Sequence, residues 1–264
     1  MADWSPETYS RFRGLRLRPA LDLLAQVPDL PPGDIVDLGC GNGAVGLALA
    51  ARWPDRRLIG IDNSPTMLAE AAATGAYKRC LAADIAEWQP AKPVALIFSN
   101  AALQWLGDHA TLLPRLAACL APGGTLAVQM PRQTGAPSHR FLRDFAGEMF
   151  PDRFDYSAWE APVSAPLEYM RSLAALGQVD VWETDYIQRL APDAARHPVR
   201  AFTESTAMRR ITSKLSADEA AAFAARYDAA LTAAYPAEPD GSVLFPFRRL
   251  FMIVRRADGR AETH

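Results

Sequence analysis

Sulfur and histidine are scarce in this chain of 264 residues. Its three cysteines, Cys40, Cys80 and Cys119, show no metal-ligand spacing and no disulfide framework. They suit a reducing cytosol. His109 and His139 stand isolated, so no Cys/His or Ser/His nucleophile pair is in view and no metal site is expected. Long apolar runs are also missing. No stretch of about 18 apolar residues offers a membrane-spanning helix. The opening residues, MADWSPETYSRF, lack the apolar centre of a secretion signal. Neither sign of charge dominates. A net charge of −2 argues against a nucleic-acid binder with a broad basic surface, while leaving room for a local basic pocket. No internal repeat occurs. These absences leave a cytoplasmic protein with no nucleic-acid or membrane partner, and its oligomeric state stays open, a monomer being admissible.

What is present is a globular composition, half hydrophobic and 22% charged, on a chain long enough to bury a sizeable core. The organising stretch is IVDLGCGNGAVG, from Ile35 to Gly46. A short apolar run ends on Asp37, glycines follow at 39, 41 and 43, and LALAARW then has helical character. Strand, glycine turn and helix form a unit that brings backbone close to a nucleotide-type ligand.

Alternation continues to residue 131. LIGID (58–62) reads as a second strand ending on Asp62. Ser64 and Pro65 then open a helix that Gly75 stops. CLAAD (80–84) reads as a third strand and VALIFSNA (94–101) as a fourth. LLPRLAACLAPGG (112–124) reads as a helix stopped at Pro122-Gly123-Gly124, with Pro114 in its first turn or at a kink. TLAVQMP (125–131) reads as a fifth strand. Near-continuous apolar strands between helices mean a parallel sheet covered on both faces. Ligands of such sheets lie beyond the carboxyl ends of the strands, where Asp37, Asp62, Asp84 and Ser99-Asn100 all fall.

Helices are then expected at 138–150, 166–177, 197–215 and 216–235, the last with a Ser216/Glu219 capping box. Strands are expected at 178–190 and 243–256, with Pro246 near an edge or bulge. The fold class is α/β, Rossmann-like: a mostly parallel seven-stranded sheet flanked by helices, with helical cap insertions. A single domain over 1–264 is expected, with a cofactor-binding core at about 31–131, an N-terminal helical lid at 1–30, and caps at about 132–177 and 191–240.

The glycine turn admits two readings. GNGAVG (41–46) matches the dinucleotide fingerprint of an NAD-dependent oxidoreductase. Its first glycine, however, comes four residues after Asp37, whereas that fingerprint begins close to the strand end. The other reading is D-x-G-x-G-x-G from Asp37 to Gly43, in which the strand-end acid belongs to the site. An acid there would repel a pyrophosphate and welcome a cationic cofactor without phosphate.

DLGCGNG, with Asp62, Asp84-Ile85 and LAPGGTL (120–126), resembles the motifs of the class I S-adenosylmethionine-dependent methyltransferases. The opening DWSPETYSRFRGLRLRPALDLLAQV, DIAEWQP (84–90), SNAALQWLGDH (99–109), VQMP (128–131) and RRLFMIVRR (248–256) resemble more narrowly the trans-aconitate 2-methyltransferase family. That likeness spans nearly the whole chain and is looser between about 135 and 205. It implies transfer of a methyl group from S-adenosyl-L-methionine to a carboxylate of a small polyacid, leaving S-adenosyl-L-homocysteine. The acceptor would be a small anion, already ionised at neutral pH, with a carboxyl pKa of about 4.

The resemblance assigns Asp37, Gly39, Cys40, Gly41, Asn42 and Gly43 to the cofactor floor. Asp62 would hold both ribose hydroxyls, with Asn63 beside it among the cofactor-binding residues, and Asp84 and Ile85 the adenine amino edge, with Met67 near the adenine face. Asn100, Ala101 and Trp105 would also bind the cofactor, and Asn100, Gln104 and Trp105 would lie between cofactor and acceptor as positioning groups, no general base being required. Tyr9, Arg13, Arg209 and Arg249 would hold the substrate. Ten arginines lie between 132 and 210, but eleven acids lie there too, so local charge alone marks no anion site. A class I methyltransferase for another small molecule, the oxidoreductase and a non-catalytic binding protein are the alternatives.

Overall fold

The computed structural model describes residues 13–204 and 206–257, with side chains from Leu17 onward. The described elements, in chain order, begin with α1 (Arg13–Gln26), β1 (Ile35–Leu38), α2 (Gly46–Arg52), β2 (Leu58–Asp62), α3 (Pro65–Ala73) and β3 (Arg79–Ala82). Next are β4 (Val94–Asn100), a 3₁₀ turn (Leu103–Trp105), α4 (His109–Ala118) and β5 (Leu120–Pro131). The remainder comprises α5 (Pro137–Met149), α6 (Pro166–Leu173), a second 3₁₀ turn (Ala174–Leu176), β6 (Gly177–Leu190), α7 (Pro198–Glu204), α8 (Arg209–Thr212), α9 (Ala217–Ala234) and β7 (Val243–Arg256).

One seven-stranded sheet runs in the order β3-β2-β1-β4-β5-β7-β6. The pairs from β3 to β5 are parallel, and β7 is antiparallel to β5, from Thr125 opposite Arg255 to Pro131 opposite Arg249. This is the expected Rossmann-like class I methyltransferase fold. β1 and β4 are almost wholly buried, in keeping with the apolar residues Ile35, Val36 and Leu38 and the run from Val94 to Phe98.

The chain groups into two compact units. Of the described residues, the larger unit comprises 14–131, 162–184 and 249–257. Its core joins Val36, Leu38, Ile97, Leu113, Leu116, Leu126 and Met252 with Tyr169 and Leu173 of α6. Arg52 and Arg56 bind backbone carbonyls of residues 24–33, fastening the segment after α1 to the sheet. The smaller unit contains 132–161 and 185–248. There Phe202, Phe223, Tyr227, Phe245 and Phe247 form an aromatic core, with the Phe202 and Phe245 rings 5.3 Å apart. Tyr227 is buried, and its hydroxyl donates to Ser138 O at 2.6 Å.

Three expectations are corrected. The helix assigned to 112–124 runs from His109 to Ala118, and β5 already starts at Leu120, so Pro122 and the glycines belong to the strand rather than to a helix stop. Asp108 explains the early start: it adopts φ 51° and caps α4 by accepting from Thr111 N. Pro114 sits inside α4, beyond its first turn. The helix expected at 197–215 is two short pieces, α7 and α8. Ser64 does cap α3, accepting from Met67 N at 3.4 Å, and Ser216 caps α9 reciprocally with Glu219.

Ser216→Ala removes the side-chain acceptor of that capping box. It is expected to lower the stability of the chain by about 1 kcal/mol, read as a reduced midpoint in thermal unfolding.

Candidate functional site

The carboxyl ends of β1, β2 and β4 face one edge of the larger unit because these strands are parallel neighbours. The glycine turn after β1 folds back onto β2. Gly39 N and Cys40 N both donate to Ile61 O, at 2.8 and 2.9 Å, and Gly41 N donates to Asp62 Oδ2 at 2.9 Å. Gly43 N donates to Cys40 O. The amides of Gly39, Cys40, Gly41 and Gly43 are thus engaged inside the protein. Gly39, Gly41 and Gly43 all have positive φ, the left-handed region that favours glycine. At Gly39 space forbids a side chain as well: a Cβ there would lie 2.3 Å from Ala102 Cβ. At Gly41 a Cβ would meet nothing within 4 Å, so this part of the turn is open.

Asp62 is the fulcrum. Its Oδ2 takes Gly41 N–H and its Oδ1 takes Ser64 N–H at 2.9 Å, which locks the carboxylate in place with one lone pair per oxygen remaining. Asn63 is exposed beside it, and Met67 is half-buried in the first turn of α3. Asp84 lies two residues beyond β3, exposed, and caps its own loop by accepting Ala86 N–H at 2.8 Å. That loop is pinned from α4, where Arg115 donates to Ile85 O at 2.7 Å and Trp88 O at 2.6 Å. Ile85 Cδ1 lies 3.3 Å from the Cβ position of Gly39, so the loop after β3 and the glycine turn touch.

The end of β4 supplies the third wall. Ala101 bends with φ 54° and donates its N–H to Gln129 O at 2.9 Å. A non-glycine residue in this region carries strain of order 1 kcal/mol, the kind that collects at functional sites. Gln104 donates to Ala101 O at 2.7 Å. Among the described residues, Asn100 Oδ1 and Gln104 Oε1 are buried acceptors without a hydrogen-bond partner. Trp105 is 59% exposed, so it is not a core aromatic.

Asp37 behaves differently from the other acids. It is 2% exposed and accepts the Tyr77 hydroxyl at 2.7 Å. Burial pushes its carboxyl up to about 7, the Tyr77 bond pulls it down, and the charge of Asp62 adds to the rise. Cys40 is buried, and burial with the nearby acids raises its thiol, which removes any nucleophilic role.

Of the substrate candidates, Arg249 is buried on β7 and its Nη1 donates to Gln129 Oε1 at 3.3 Å; Gln129 in turn is paired in register with Asn100. Arg249 therefore stands near the carboxyl end of β4. Arg209 is exposed on α8, in the smaller unit. Tyr9 and the side chain of Arg13 lie outside the described residues. His109 is structural: its ring nitrogens reach Tyr169 Oη at 2.6 Å and Leu103 O at 2.9 Å. His139 is half-buried beside Ser138, and desolvation, with the nearby Arg143 charge, lowers its pKa to about 4.

Sequence reasoning missed Tyr77, Arg115 and Gln129. A fully buried glutamine inside TLAVQMP was the one available signal, since a polar side chain in a buried strand needs a reason.

Comparison with known proteins follows this geometry. A family model described as a methyltransferase domain matches residues 35–124. A trans-aconitate 2-methyltransferase of Methylobacterium nodulans is 46% identical over 259 residues, covering 97% of this chain and 99% of that one. The chain belongs to the trans-aconitate 2-methyltransferase family. Relatives of the same name from Streptomyces avermitilis (44% identical, 96% and 97% covered) and Klebsiella pneumoniae (42%, 98% and 100%) extend the match. Among solved structures, the YcgJ protein of Bacillus subtilis has a TM-score of 0.57 at 15% identity, covering 92% of this chain and all of that one. Phosphoethanolamine N-methyltransferase 2 of Haemonchus contortus, in complex with S-adenosyl-L-methionine, scores 0.52 at 17% identity, covering 90% of this chain and 52% of that one. These two carry the fold. The oxidoreductase reading of GNGAVG does not survive family membership.

Two outcomes follow. The raised Asp37 carboxyl means that between its ordinary 3.8 and about 7 the folded chain holds a proton the unfolded chain has released, so stability falls as pH rises through that window. Asp37→Asn is therefore expected to stabilise the chain by about 1–3 kcal/mol near pH 8, with the gain fading towards pH 4, in thermal unfolding across pH. Arg115→Ala frees the 84–88 loop and is expected to weaken binding of S-adenosylhomocysteine about tenfold by calorimetry.

Proposed function

We propose that this chain methylates a carboxylate oxygen of trans-aconitate, or of a similar small polycarboxylate, with S-adenosylmethionine as donor, giving a monomethyl ester. The observation that carries the reading is the polarity of the strand edge. The Gly39, Cys40 and Gly41 amides bond to β2, the Asp62 carboxylate keeps lone pairs at the strand end, and Asn100 Oδ1 and Gln104 Oε1 are buried acceptors without a partner. Such a surface fits a cofactor that presents ammonium, hydroxyl and amino donors and has no phosphate. Bound there, S-adenosylmethionine supplies an electrophilic methyl group on a sulfonium.

The residues have separable tasks in this reading. Asp62, held by Gly41 and Ser64, accepts the two ribose hydroxyls. Asp84 and the Ile85 backbone take the adenine edge, with Met67 against its face. Asp37, Gly39, Cys40, Gly41, Asn42 and Gly43 form the floor below the amino-acid end. Asn100, Gln104 and Trp105 orient the acceptor and exclude water. The acceptor carboxylate brings its own lone pair at neutral pH, so no side chain has to remove a proton. Alignment of the reacting groups can supply roughly 7–11 kcal/mol.

Arg249 provides the anion contact, because a guanidinium away from water attracts a carboxylate more strongly than an exposed one does. Arg209, Tyr9 and Arg13 are the further substrate contacts. The partner is a small anion rather than nucleic acid or membrane, in line with the net charge of −2. Among the described residues no helix is long and apolar enough to cross a membrane. The free thiols of Cys40, Cys80 and Cys119 fit a cytoplasmic setting.

The test is methyl transfer from labelled donor to a panel of di- and tricarboxylates. A base-labile ester of trans-aconitate is expected, and a base-stable product would instead assign another acceptor class. Arg249→Ala and Arg209→Ala are expected to raise KM for the acid at least tenfold while leaving S-adenosylhomocysteine binding within about twofold. Wild-type kinetics in both variants would remove the arginine clamp.

A further inference from the structure

Tyr77 lies between α3 and β3, away from every motif that marks the cofactor site in sequence. Its ring occupies space that three glycines leave open. A Cβ on Gly46 would fall 2.5 Å from the ring, one on Gly60 would fall 3.0 Å from it, and one on Gly43 would also fall 3.0 Å from it. Gly43 belongs to the glycine turn, Gly46 opens α2 and Gly60 lies in β2, opposite Asp37 in register. A tyrosine threaded through these positions reaches the buried end of β1, where its hydroxyl donates to Asp37 Oδ2 at 2.7 Å.

We infer that Tyr77 is a positioning residue of the cofactor site: its ring sets the separation of the glycine turn from β2, and its hydroxyl donates to the Asp37 carboxyl group beneath the amino-acid end of the donor. The inference rests on the reading of the Asp37–Gly43 turn as the S-adenosylmethionine floor. Its physical basis is a carboxylate placed where desolvation favours the neutral form. The groups acting on Asp37 are Tyr77 from the loop before β3 and Asp62 from the end of β2, the second of which opposes ionisation. Cys40 of the turn and Cys80 of β3 pack in the same pocket, and burial keeps both as thiols. A hydroxyl donor is therefore what favours the charge, and the charge is what an ammonium above the turn responds to.

Tyr77→Phe tests this with the ring retained. Binding of S-adenosylhomocysteine is measured by calorimetry across about pH 6 to 9, where the ligand's own titration is common to both proteins. The variant is expected to bind about tenfold more weakly near pH 7 and to regain affinity at the alkaline end, with the rising limb of its pH profile moved up by about one unit. Asp37→Asn is expected to flatten that limb, and adding Tyr77→Phe to it should then cost little more affinity. A Tyr77→Phe profile that is lower by one factor at every pH, or that superimposes on the wild type, would overturn the assignment. Failure of the wild-type chain to bind S-adenosylhomocysteine at any pH would overturn the cofactor reading, and this inference with it.

Discussion

The junction of β1 with β2 is the constraint on which the rest of the site depends. Three successive amides of the turn reach across to β2, two to Ile61 O and one to the Asp62 carboxylate. A chain that bends this sharply has to pass through left-handed conformations, and residues 39, 41 and 43 are accordingly glycine. The same bonds immobilise the Asp62 carboxylate, each oxygen of which keeps a lone pair. In the proposed reading those lone pairs meet the ribose of the donor, so the backbone geometry of the turn and recognition of the cofactor share one set of hydrogen bonds.

The remaining walls are attached to this junction by packing rather than by further backbone pairing. Gly39 is pressed between Ala102 and Ile85, so the β1, β3 and β4 loops meet at one glycine. Arg115 holds the middle of the 84–88 loop by its carbonyls, and His109 with Tyr169 holds the carbonyl of Leu103 ahead of Gln104 and Trp105. Residues that never appear in a motif therefore fix those that do.

Much of this was readable from the chain. Apolar strands ending on Asp37, Asp62 and Asn100 report their own place, because a parallel sheet sends every strand end to one edge. Ser64 and Ser216 report helix starts through their caps. What failed was local. LAPGG reads as a helix stop because proline and glycine punctuate helices, yet its residues pair as the first part of β5, a tertiary matter that no window of neighbours contains. Tyr77 was illegible for a related reason. Its importance lies in the Cβ atoms absent from three distant glycines, and distance along the chain hides that. Arg249 could be named but not placed: an arginine inside RRLFMIVRR looks like any strand-edge cation until its burial beside Gln129 is known.

The order of strands carries a consequence for biogenesis. β7 is the last strand of the sheet to be made, yet it lies between β5 and β6. Until residues 243–256 leave the ribosome, β5 and β6 each present an unpaired edge, and the apolar run LFMIV has no place to go. The cofactor loops are complete long before that, at the far side of β4. A nascent chain therefore carries a finished binding edge on an open sheet, and closure waits for a single antiparallel insertion. Sticky edges of this kind attract chaperones and other nascent chains, so the final strand governs the yield of folded protein as much as its stability.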